Sequence, residues 1–66
     1  MNKETQIKKR LLDSGSISPI ESIIRYSIYP KELDKICLNL RKKGYYIKKY
    51  EEILFYRYLL FNKNKN

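Results

Sequence analysis

Lys31, Lys35, Leu38 or Asn39, and Lys42 follow one another at intervals of three or four residues, so a helix over residues 30–43 places all five on one arc. An ammonium group donates to phosphate oxygens or to guanine O6 and N7. A carboxamide bonds an adenine edge through two hydrogen bonds, and an apolar side chain touches the thymine methyl. This set suits the groove of a nucleic acid. Solvation alone accounts for each lysine taken singly, but it gives no reason for an outward Leu38, which a protein interface would also explain. Tyr29, just ahead of the arc, is placed to hydrogen-bond a phosphate. Arg41 and Lys43 favour the negative end of a helix, and one of them is expected to reach phosphate as well. Lys48 and Lys49 alternate across an extended segment, so only one of them, taken as Lys48, faces the polyanion. Seven basic and two acidic residues between Lys31 and Tyr50 put +5 of the chain's net +8 in this stretch.

Other chemistry is poorly supplied. The chain has no His, one Cys and no Gly-rich phosphate loop. It therefore offers neither a nucleophile–base pair nor a set of metal ligands. No enzyme activity, metal or cofactor is expected. Cys37 falls on an apolar helix face and reads as a reduced, buried thiol, which fits a cytoplasmic setting. The opening MNKETQIKKRLL lacks the apolar core of a signal peptide. The longest apolar run, Ile53 to Phe61, is broken by Arg57 and is too short to span a bilayer, so no membrane partner is expected. The pI near 9.7 draws the chain to polyanions.

The elements that must position these residues fit one domain over the 66 residues. Ile7, Leu11 and Leu12 repeat at helical spacing within a first helix of about residues 3–13, which Ser14-Gly15 ends. Ser18-Pro19-Ile20-Glu21 is a capping box with proline at the first helical position. It opens a second helix of about residues 19–26 whose apolar face is Ile20, Ile23 and Ile24. Pro30 forces a turn at Tyr29 and starts the third helix, with Leu33, Ile36, Cys37 and Leu40 inward and Gly44 as its stop. Two short-linked helices, the second amphipathic and basic, form a helix-turn-helix. Residues 45–61 are rich in β-formers and read as a two-stranded hairpin turning at Glu51-Glu52, with a fourth helix over residues 51–61 as the alternative. Interleaved tyrosines and lysines could stack single strands, but a two-stranded hairpin is a poor platform, and Tyr26, Tyr45 and Tyr56 read as core. Residues 62–66 are expected to fray. The run Ile53–Phe61 is apolar on both faces, so Phe55, Tyr58, Leu59 and Phe61 are expected to meet a second copy. A chain this small also has little core to stand on alone.

The element order, with GSISPIESI opening the second helix and LNLRKKGYYI closing the third, resembles small phage and prophage winged helix-turn-helix proteins. The likeness runs from about Thr5 to Leu60. It implies an α+β fold of three helices followed by a two-stranded wing, with the third helix in the major groove of double-stranded DNA. A regulator or accessory factor of a phage or mobile element, acting as a homodimer, is the expected function. The absence of Ala and Val, with abundant Lys, Asn, Ile and Tyr, suits an AT-rich genome of that kind. Two features depart from the family pattern. Ser27 stands where a Gly is common, and the wing tip is acidic. The second departure favours the alternative function, a protein-interaction module that inhibits or redirects a host protein.

Overall fold

Three helices and a three-stranded antiparallel sheet make up residues 1–61, the part described by the computed structural model. The expected frayed tail, 62–66, lies outside the described residues. In chain order the elements are α1 (Lys3–Ser14), β1 (Ser16–Ile17), α2 (Pro19–Tyr26), α3 (Pro30–Lys42), β2 (Ile47–Glu51) and β3 (Tyr56–Leu60). The fold is α+β.

Each helix begins and ends for a local reason. Asn2 caps α1 by accepting from the Thr5 N–H at 2.8 Å. Gly15 ends α1 in the left-handed region at φ 86°, its N–H donating to the Leu11 carbonyl. Ser18 caps α2 by accepting from the Glu21 N–H at 3.1 Å, and Pro19 follows at the first position. The reciprocal half of the expected capping box is absent, because the Glu21 carboxylate turns to Arg10 at 2.6 Å and to Arg25 at 3.5 Å. Ser27 ends α2 with φ 56°, a left-handed turn made without glycine. The Ser22 hydroxyl then donates to the Ile28 carbonyl at 2.7 Å, and the Ile28 N–H donates to the Ser22 carbonyl. This pair clamps the turn between α2 and α3.

The sheet has the order β1-β3-β2, with Ser16 opposite Leu59 and Lys48 opposite Leu59 on its other side. Ser16 and Ile17 are therefore a third strand added to the expected two-stranded hairpin, and β3 is central rather than its outer half. The fourth-helix alternative for residues 51–61 is excluded. The turn lies later than expected. Glu51 still pairs with Tyr56, and residues 52–55 form the tip, closed by the Glu52 N–H on the Phe55 carbonyl.

One core joins the helices to the inner face of the sheet: Ile7 and Leu11 from α1, Ile17, Ile28, then Leu33, Ile36, Cys37 and Leu40 from α3, and Ile47 and Tyr58. Each large aliphatic side chain buried there contributes roughly 1.5–3 kcal/mol. Tyr26, Tyr45 and Tyr56 pack at its margin. Two expectations about inward faces fail. Leu12 is exposed, and α2 is turned about its axis so that Ser22 is buried while Ile20 and Ile24 are 68% and 76% exposed. The inward arc of α2 is Pro19, Ser22, Ile23 and Tyr26, which is equally helical in spacing and carries the hydroxyl that clamps the turn.

Candidate nucleic-acid interface

The inward residues of α3 dock in the core, and that docking alone decides what the opposite arc presents. Lys31, Lys35, Leu38, Asn39 and Lys42 are all exposed. The two acids of α3 are engaged elsewhere. Glu32 pairs with Lys3 of α1 at 3.2 Å, and Asp34 accepts from the buried Tyr58 hydroxyl. Lys31, Lys35 and Lys42 have no ion pair among the described residues. The outer arc of α3 therefore carries three cations without an ion pair among the described residues, around Leu38 and Asn39. Tyr29 is exposed at the start of α3 and makes no capping bond with its side chain, which leaves the phenol available to a phosphate.

The C-terminal end of α3 is braced. The Arg41 Nε donates to the Ile47 carbonyl at 2.7 Å, tying α3 to the start of β2, and Lys43 pairs with Glu4 of α1. Arg41 nevertheless lines, with Gly44, Tyr45, Tyr46, Ile47 and Lys48, a groove of about 500 Å³. So the structure brings Lys48 together with Arg41, at the far end of α3 from Lys31. Lys49 lies on the inner side of the sheet, 4.2 Å from the Tyr56 ring centre and 3.6 Å from Glu51.

The four residues expected at a dimer contact do not form one surface. Tyr58 belongs to the chain's own core, since strand alternation puts it beneath α3 with its hydroxyl on Asp34. Leu59 is half-buried beside Lys48 and Ser16. Phe55 and Phe61 are exposed at opposite ends of β3. Phe55 lines an apolar groove with Pro19, Ile20 and Leu54, while Phe61 lies 5.5 Å from Tyr46 on the outer face of the sheet.

Burial pushes the Cys37 thiol up to about 12, with Asp34 adding to the shift and Arg41 opposing it. The Tyr58 phenol is raised by burial first and then by its hydrogen bond to Asp34. Neither group is poised for chemistry near neutrality. Among the described residues no group of three His, Cys, Asp or Glu side chains is brought together, and no helix is long and apolar enough to cross a membrane. No family model, curated protein or solved structure matches the chain.

Sequence reasoning missed Ser22, because a serine among isoleucines carries no periodic signal. It set stacking on interleaved tyrosines and lysines aside for want of a platform, and so passed over the outer sheet face, where Tyr46, Lys48 and Tyr50 face the same way as Arg57, Leu59 and Phe61. The signal was present as two runs of alternate residues.

Proposed function

We propose that the chain is a winged helix-turn-helix protein that binds double-stranded DNA through α3, as a regulator or accessory factor of a phage or mobile element. The observation that carries this reading is the outer arc of α3: three exposed lysines without acidic partners, flanking Asn39 and Leu38, on a helix whose own acids are occupied. The order α1-β1-α2-α3-β2-β3, with β1 paired to β3, supports a winged arrangement. Arg41 and Lys48 would grip the backbone beside the groove. If four to six phosphates are neutralised, log K against log salt falls with a slope of about −4 to −5. Titration of labelled duplexes at several salt concentrations measures it, and a flat response counts against the reading. Lys35→Ala and Asn39→Ala weaken binding to a selected site more than to random duplex, whereas Lys42→Ala weakens both alike. Equal losses for all three remove α3 from the role of reader.

Dimerisation is part of this reading, because two-fold symmetry lets two copies of α3 address two half-sites. The contact we assign is the wing tip, where Ile53 and Leu54 are 98% and 91% exposed and Leu54 lines a groove with Ile20 and Phe55. Sedimentation then gives a dimer that Leu54→Asp dissociates. The same apolar groove favours the second reading, an interaction module for a host protein. A chain that stays monomeric and binds no duplex at low salt would support that reading and end the first.

A further inference from the structure

Apart from Lys48, assigned above to the duplex backbone, the outer face of the sheet has no role in the duplex reading, yet its composition is unusual for a solvated surface. Tyr46, Lys48 and Tyr50 alternate along one strand, and Arg57, Leu59 and Phe61 along its neighbour. The register sets Lys48 beside Leu59 and Tyr50 beside Arg57. The Phe61 N–H donates to the Tyr46 carbonyl at 2.9 Å, extending the ladder by one rung and joining the last pair. Tyr46, Tyr50 and Phe61 are 42%, 49% and 43% exposed, large values for rings that a one-sided sheet gains nothing by displaying.

The rings come with cations. The Lys48 ammonium lies 5.7 Å from the Tyr46 ring centre and 5.9 Å from that of Phe61, and Arg57 flanks Tyr50. Glu52, in the turn that follows, accepts from the Tyr50 hydroxyl at 2.9 Å. The Tyr46 and Phe61 rings lie 5.5 Å apart and are tilted by 48°. At the Tyr46 end the surface runs into the basic groove that Arg41 shares with Lys48. Aromatic faces accept any base by stacking, and interleaved cations follow the backbone.

We propose that this face is a second site, which stacks the bases of an unpaired nucleic-acid strand on Tyr46, Phe61 and Tyr50 while Lys48 and Arg57 hold its phosphates. The strand lies on the opposite side of the sheet from α3, because the inner face, with Ile47 and Tyr58, packs against the inward residues of that helix. The Lys48 contacts to the two rings are long and solvent-exposed. An incoming base displaces them as the ammonium moves to the phosphate. The two sites share Lys48, but the stacking rings of Phe61 and Tyr50 have no part in the duplex reading, and the proposal is tested on them.

Labelled oligothymidylate and oligouridylate, titrated with the protein at low ionic strength, test it against a duplex of equal length. Both single strands bind if the sugar is not read, and one of them binds if it is. Tyr50→Ala with Phe61→Ala, both outside the groove of Arg41 and Lys48, lowers single-strand affinity by at least about ten-fold and leaves the chain folded and duplex affinity unchanged. Lys35→Ala and Asn39→Ala leave single-strand affinity unchanged. Amide shifts of the wild-type chain give a readout that needs no variant: oligothymidylate moves residues of β2 and β3, not those of α3. Failure of both oligonucleotides to bind, unaltered binding by the aromatic variant, or shifts centred on α3 would each overturn the proposal.

Discussion

Cys37 lies one turn from both Leu33 and Leu40 and is almost wholly buried. Its thiolate would be stripped of water there, which is why its titration is pushed up to about 12 from 9.0. A thiol reagent at pH 8 therefore finds no reactive group in the folded chain and one after denaturation. Reaction of the native chain at the rate of a free thiol would contradict the packing of α3. For an acid raised by folding, stability is complete below the unfolded value and is lost as pH climbs towards the folded one. Tyr58, raised from 10.0 by burial and its bond to Asp34, acts in the same direction. The urea midpoint should thus hold up to about pH 9 and decline above it. A flat profile to pH 11 would argue against both burials. Ser22 makes a different demand. Ser22→Ala leaves the Ile28 carbonyl without its side-chain donor, and the expected loss is about 1–2 kcal/mol in urea unfolding.

Among the elements, α3 was the most legible, because Leu33, Ile36, Cys37 and Leu40 admit a single inward face and the outward residues follow by rotation. The bounds of α2 were as clear, from Ser18 and Pro19 at one end and Pro30 beyond the other, but its rotation was not. Ile20, Ile23 and Ile24 form one helical arc and Pro19, Ser22, Ile23 and Tyr26 another. A hydrogen bond to the next turn chose between them. The pairing of the two residues of β1 was beyond local reading, since their partners, Leu59 and Tyr58, lie more than forty positions away. Without that strand the hairpin looked too narrow to display an aromatic face, and the surplus apolar residues of β3 were assigned to a partner. Ser27 offers a test at this scale. A side chain at φ 56° carries strain that glycine does not. Ser27→Gly should raise stability by about 0.5–1 kcal/mol in the same urea assay, and a loss would mean that the hydroxyl itself holds the turn.

Across the whole molecule, the acids are largely spoken for. Glu4, Glu21, Glu32 and Glu51 sit in ion pairs, while Asp34 and Glu52 accept from tyrosine hydroxyls. Much of the net positive charge is therefore carried by cations without an ion pair among the described residues, on α1 (Lys8, Lys9) as well as on α3 and the outer sheet, and these repel one another. Exposed ion pairs stabilise little, so added salt should raise the melting temperature by relieving the repulsion. A melting temperature that falls with salt would give the ion pairs the larger share. The strand order has a consequence in time as well. A nascent chain is made from residue 1 upward, yet the strand that both its neighbours need is the last described element, Tyr56–Leu60. Until Leu60 has left the ribosome the helical half has no floor, and Ile7, Leu11 and Leu33 stay open to water or to another nascent chain. Synthesis and assembly are consequently sequential here, and slow translation of the final strand would lengthen the period in which the protein is most prone to aggregate.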